Sequence, residues 1–282
     1  MQSVKAGTVE LEYEIVGAGE PVLLISPVLA DGFLPLLSEP ALAGGYQLIR
    51  YHKRGWGAST HTPPPVTIAD HARDAAALLE ALGIRCAHVA GHSSGAAVAV
   101  QLALEHPQAA HSLMLLELSL LSLPAGQAFL EGATPVFETY ASGDHERALA
   151  LFLSAVSGLD WPSCQALLAE RVPGAVKSAI QDVDTFFGVE LPALAEWIFD
   201  AERAAAIRQP VLSMTGAETE PVWTETAAFL HSSLPSVEDC TIEGAGHLLH
   251  IQRPQSVAHE LANFLARHPI AGARPVEALQ IG

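Results

Sequence analysis

One stretch constrains this chain more than any other: Cys86-Ala87-His88-Val89-Ala90-Gly91-His92-Ser93-Ser94-Gly95-Ala96-Ala97-Val98-Ala99-Val100. It reads as a short buried strand, a turn of form G-x-S-x-G, and a helix of small apolar residues. In that context the pattern is a nucleophile elbow: the strand stops abruptly and leaves Ser93 on a sharp, strained turn with its hydroxyl presented. Gly91 and Gly95 carry no Cβ, so the strand and the helix can pack closely across the turn. The helix that follows aims its first N–H groups, and the positive end of its dipole, at charge developing beside Ser93.

The chain on either side alternates between strand and helix signals. Thr8–Val16 alternates apolar and polar residues, as expected of a half-exposed edge strand. Val22–Ser26 is continuously apolar, the mark of a strand buried on both faces, and leads into the loop Pro27–Gly32. Tyr46–Tyr51 is the next strand. Thr67 and Asp70 form a cap that opens a helix running to Leu82. The elbow helix ends before Pro107, and His111–Leu118 is another buried strand. This order predicts an α/β fold with a mainly parallel, doubly wound sheet flanked by helices. From Leu120 to about Ala205 only helical periods occur, near Gln127–Tyr140, His145–Ala155, Ser163–Arg171, Val176–Phe187 and Ala193–Ala206. Strands resume at Pro210–Gly216 and Val237–Ile242, and an amphipathic helix over Pro254–His268 closes the fold. The expected organisation is a core of residues 1–119 and 206–282 with a helical cap, or lid, over 120–205; Ala271–Gly282 reads as a tail.

Composition narrows the partners. Of 282 residues, 31 are acidic and 14 basic, a formal charge of −17 that argues against nucleic acid, which needs a basic stripe. Apolar runs such as Ala96–Ala103 fall far short of a membrane span, and the N-terminus carries no signal-peptide pattern. Three cysteines, Cys86, Cys164 and Cys240, are an odd number without paired or metal-ligand spacing. They fit reduced thiols in a cytoplasmic monomer or homodimer. The 13 histidines are scattered, with no metal-binding cluster.

A serine hydroxyl is a weak nucleophile near neutral pH and needs a base within hydrogen-bond reach. Gly244-Ala245-Gly246-His247, after the last strand, is a flexible turn that can carry His247 over the elbow. His92 and His250 are the rivals. His92 adjoins Ser93 on a tight turn where side chains diverge, and His250 enters the closing helix. The third member must orient the imidazole and stabilise its protonated form. The position three residues past Gly216 is Thr219, which carries no charge, although Glu218 and Glu220 flank it. The other position is the end of His111–Leu118, where Glu117 stands among apolar residues. A carboxylate there is costly to bury without a partner, which favours Glu117 over Glu220. The backbone N–H groups of Ser94 and of Val28 are the candidate oxyanion donors; Pro27 has none to give. Leu29, Leu118, Phe187 and Trp197 are candidate pocket residues.

Val22–Asp31, Arg54-Gly55-Trp56-Gly57, Gly91–Gly95 and Gly244–His247 together resemble the α/β-hydrolase-fold superfamily across nearly the whole chain. Within it, the sequence most resembles the zearalenone hydrolase (lactonase) group. The likeness lies in Ser93-Ser94-Gly95-Ala96, an acid at the end of the next strand (Glu117), and a first loop without His-Gly. The resemblance implies a Ser93–His247–Glu117 triad that cleaves an ester or lactone of a hydrophobic substrate through an acyl-enzyme. It implies neither a metal nor an organic cofactor. Two alternatives use the same fold: a carbon–carbon bond hydrolase on the same triad, and a slow-turnover ligand receptor.

Overall fold

The computed structural model describes residues 1–271 of the chain. Eight strands form one sheet: β1 (Gln2–Ala6), β2 (Val9–Val16), β3 (Glu20–Ile25), β4 (Tyr46–Tyr51), β5 (Ala87–His92), β6 (Ala110–Leu116), β7 (Val211–Gly216) and β8 (Glu238–Ile242). Their spatial order is β1-β2-β4-β3-β5-β6-β7-β8. Pairings are parallel from β4 through β8 and antiparallel at β1–β2 and β2–β4. This is the mainly parallel sheet that the alternation predicts, in the α/β-hydrolase fold that the resemblance implies.

Strand periodicity sorts the core onto two faces. Leu23 and Ile25 of β3 pack on one side of the sheet with Val89, Leu113 and Leu115, under the helices Ile68–Ala81 and Ser94–Glu105. Val22 and Leu24 face the other side with Ala90, Met114 and Leu116, under the helix Pro254–Arg267. The Thr67–Asp70 cap forms as a reciprocal capping box. At the centre, β5 is buried along its whole length.

Several local expectations differ from the structure, and the helix expected over Ala193–Ala206 is two, Leu191–Glu196 and Ala201–Ala206. β2 is not the edge strand: β1 pairs along it from Gln2–Tyr13 to Ala6–Val9. The short, polar Gln-Ser-Val-Lys-Ala run of β1 hides that strand from a hydrophobicity reading. The single helix expected over Gln127–Tyr140 is two, Pro124–Gly132 and Thr134–Ala141, because Pro135 fits only in a helix's first turn. The helix Pro221–Ser233 was not anticipated.

Between β6 and β7 the chain is helical, as expected, and includes a π-helical turn at Phe186–Glu190. Its apolar side chains, among them Leu149, Leu168 and Phe186, form a third cluster with Val28, Leu29 and Trp56 of the core. No helix among the described residues is long and apolar enough to cross a membrane. Most of the predicted tail, residues 272–282, lies outside the described residues.

Candidate active site

The elbow forms at the end of β5. Ser93 has φ 55° and ψ −122°, and Glu117 has φ 49°; among the described residues these are the only non-glycine positions with positive φ. Each stores strain that surrounding structure must hold. For Ser93, the backing is close packing. A Cβ on Gly91 would lie 2.3 Å from the carbonyl oxygen of Gly95, and one on Gly95 only 2.0 Å from that of Ile25. No side chain fits in either place. The Ser93 N–H donates to the Leu116 carbonyl at 3.0 Å, tying the turn to β6.

Glu117 follows β6 immediately and is only 2% exposed. Its carboxylate accepts from the Gly216 N–H at 2.7 Å and from the Thr219 hydroxyl at 2.8 Å, and it meets His247 Nδ1 at 2.7 Å. Thr219, the uncharged residue at the other acid position, therefore serves the acid that comes from β6. Glu218 and Glu220 are exposed, Glu220 at the start of the helix Pro221–Ser233. Burial pushes the Glu117 carboxyl up to about 7 against the pull of its two donors. Burial pushes His247 the other way, to about 3, so that its ring is neutral at neutral pH.

The rival histidines sit behind this pair. His92 Nε2 donates to the backbone carbonyl of His247 at 2.8 Å, which braces the His247 turn. His250 packs between His92 and Phe33, with ring centroids 4.3 and 5.0 Å apart. Trp223 stacks on His247 at 3.8 Å, nearly parallel, and its indole N–H donates to Ser119 Oγ at 2.9 Å. Ser119 Oγ in turn lies 3.3 Å from Ser93 Oγ.

Ser93 and His247 open into one apolar cavity, with Val28, Leu29 and Ser94 in its wall. The helical segment supplies Phe129, Phe152, Phe186 and Leu191. The free volume is about 30 Å³, room for roughly two waters. Three expected pocket residues lie outside the lining. Leu118 turns into the core beneath the elbow helix, and Phe187 stacks on Tyr140 at 4.8 Å. Trp197 donates to Gln101 at 2.9 Å and stacks on Phe199. In each case a better-matched partner in the protein takes the side chain away from the cavity.

Next to the elbow lies a buried ion pair. Lys53 Nζ meets Glu190 Oε2 at 2.8 Å, with side-chain exposures of 2% and 1%. Trp56 Nε1 donates to the same oxygen at 3.0 Å, and the Ser94 hydroxyl donates to Glu190 Oε1. Burial holds the Lys53 ammonium below its ordinary range, with Glu190 pulling it back.

A family model described as the alpha/beta hydrolase fold matches residues 29–254. The chain belongs to this family. It is 28% identical over 276 residues to a protein of Azorhizobium caulinodans named "Putative carbamate hydrolase RutD", with 94% of this chain and 98% of that one covered. Among solved structures, a thermophilic esterase from Thermogutta terrifontis aligns with TM-score 0.75 at 21% identity, over 95% of this chain and all of that one. Est816, described as an N-acyl homoserine lactone degrading enzyme, aligns with TM-score 0.70 at 24% identity, over 93% of this chain and 100% of that one. These likenesses carry the hydrolase fold. Ser119, Trp223, Lys53 and Glu190 were not singled out from the sequence. Only Ser119 left a trace there, as a polar residue two places after Glu117 in an otherwise apolar run.

Proposed function

We propose that the protein is a serine hydrolase that cleaves an ester or lactone of a hydrophobic substrate through an acyl-enzyme. One observation carries this reading: the buried Glu117–His247 hydrogen bond of 2.7 Å, opening into the same apolar cavity as a serine held at φ 55°. Ser93 Oγ attacks the carbonyl as its proton passes to the neutral His247 ring. The imidazolium that results is costly in so buried a place, and the Glu117 carboxylate offsets that cost. The N–H groups of Ser94 and Val28 receive the oxyanion. His247 then returns the proton to the leaving oxygen, and later activates water to release the acid.

The helices between β6 and β7 act as a cap in this reading. They line the cavity, which is too small for a drug-sized substrate as it stands, so entry requires them to shift. A zearalenone-type lactone is the finer form of the proposal and rests on the resemblance of Ser93–Ala96 and Glu117. A carbamate is a second reading, favoured by the relative's name, because its carbonyl is open to the same attack. Hydrolysis of p-nitrophenyl esters, zearalenone and an aryl carbamate by wild type, Ser93→Ala and Glu117→Ala tests all three. Loss of every activity in both variants supports the triad, and the wild-type ratios rank the substrates. Ester turnover that survives Ser93→Ala overturns the proposal.

A further inference from the structure

The Ser119 hydroxyl is buried and has two partners, Trp223 Nε1 and Ser93 Oγ. An indole N–H only donates, so at that contact Ser119 is the acceptor. Its own hydrogen then has one acceptor within reach, Ser93 Oγ at 3.3 Å. A buried hydroxyl hydrogen without an acceptor is costly, which favours the direction Trp223 to Ser119 to Ser93 over the reverse. In that direction the hydrogen of Ser93 stays available to His247, which lines the same cavity.

Strand order adds the side on which this donor lies. β5, which carries the elbow, sits between β3 and β6. The loop after β3 brings Val28, and the chain after β6 brings Ser119, so the two reach Ser93 from opposite flanks. Ser119 is also tied to Trp223, the ring stacked on His247. It thus belongs to the flank from which the leaving group is protonated, away from the Val28 side.

We propose that Ser119 is a further catalytic residue, a hydrogen-bond donor that passes from Ser93 Oγ in the free enzyme to the leaving-group oxygen during acyl transfer. The inference rests on Ser93 being the nucleophile. As Ser93 Oγ bonds to the carbonyl carbon, its proton goes to His247 and its lone-pair density moves into the new bond, so it becomes a poorer acceptor. As the carbon–oxygen bond to the leaving group breaks, the electron pair goes to the leaving oxygen, which becomes a better one. That oxygen takes the proton from His247, while Ser119 keeps its own throughout. Trp223 is a positioning residue that holds Ser119 in the donating orientation.

The test is leaving-group dependence. kcat/KM is measured for the p-nitrophenyl, phenyl and ethyl esters of butyric acid with wild type, Ser119→Ala, Ser119→Thr, Trp223→Phe and Ser93→Ala. An ethoxide leaving group needs the donor far more than a nitrophenolate does. Ser119→Ala is expected to lose roughly 10- to 100-fold on the ethyl ester and within about threefold on the p-nitrophenyl ester. Ser119→Thr, which keeps the hydroxyl, should restore the wild-type pattern. Trp223→Phe keeps a ring over His247 and loses the N–H; it should tilt the series the same way by a smaller factor, and carries the test should Ser119→Ala fail to fold. An equal loss across the three esters, or no loss, overturns the role of Ser119 and leaves the triad standing. Ester hydrolysis that persists in Ser93→Ala, or is absent from the wild type, overturns the nucleophile reading and this inference together.

Discussion

Two carboxylates are buried beside the Ser93 turn, and they are held in opposite ways. Glu117 meets neutral groups: two donors and the His247 ring, with no cation in contact among the described residues. Glu190 meets a cation, Lys53, together with the Trp56 and Ser94 donors. An unpaired carboxylate among neutral donors is poised, because burial lifts it to about 7 and its charge becomes most useful when a neighbouring imidazole protonates. A carboxylate already matched by an ammonium has little left to offer a transition state. What it provides is a fixed point joining the loop after β4, the π-helical turn and Ser94. Glu117 is therefore expected to govern rate, and Glu190 to govern stability and the placement of the helices.

The largest effect should come from Glu117. Glu117→Gln preserves shape and removes the charge, and a triad acid carries roughly 10⁴-fold in kcat. Glu190→Gln, assayed where it remains folded, should stay within about tenfold of wild type, since the amide oxygen still accepts from Lys53 and Trp56 and the Ser94 hydroxyl can turn to accept from the amide N–H. Equal losses in the two variants would erase the distinction drawn here.

Stability should reverse the ranking. Glu190→Ala leaves Lys53 buried without its partner, and breaking such a pair costs about 3–5 kcal/mol. Replacing both ends, as Lys53→Met with Glu190→Leu, should recover most of that loss, because neither ion then has to be desolvated. Urea unfolding of the single and double variants reads this directly. A double variant as unstable as Glu190→Ala would mean that the Trp56 and Ser94 contacts, and not charge, hold the site.

The same contrast explains what was legible in the sequence. Glu117 could be found because it interrupts an apolar strand next to the elbow, where burial follows from its neighbours and a partner is needed. The elbow and the parallel strands were legible for a similar reason: glycine spacing and continuous apolar runs are local signals. Lys53 follows the strand Tyr46–Tyr51, and Glu190 falls between the helical periods expected at Val176–Phe187 and Ala193–Ala206. Their pairing joins the loop after β4 to the distant π-helical turn and leaves no local period. Ser119 and Trp223 were missed in the same way, since a serine and a tryptophan over 100 positions apart meet only once β6 and the helix Pro221–Ser233 are brought together. The misplaced pocket residues Phe187 and Trp197 show the limit from the other side: aromatic content predicted an apolar cavity, while ring-to-ring packing decided which rings line it.

The pH dependence sharpens the account of Glu117. With its carboxyl lifted to about 7 and His247 lowered to about 3, the ring is already neutral through the working range, so its own protonation does not set the acid limb. Activity should rise with pH through a single ionisation near 7 that belongs to the coupled pair, as the carboxylate gains the charge it needs. A kcat/KM profile from pH 5 to 9 should show this limb in wild type and in Glu190→Gln, but not in Glu117→Gln. A flat wild-type profile below pH 7 would mean that Glu117 is ionised throughout.

The smallest change tests the donors that hold Glu117. Thr219→Val is close to isosteric and removes only the hydroxyl that donates to Glu117 Oε2 at 2.8 Å. That hydrogen bond favours the charged carboxylate, so its loss makes ionisation harder and moves the acid limb to higher pH. A hydrogen bond to a charged group is worth about 1.5–3 kcal/mol, and one pH unit corresponds to about 1.36 kcal/mol, so the limb should move by roughly one to two units. At pH 6 the variant then loses about tenfold or more, because less of it carries the ionised acid, while at pH 9 it approaches wild type. A loss of equal size at every pH would instead mean that Thr219 positions the His247 ring, and that Gly216 alone sets the charge on Glu117.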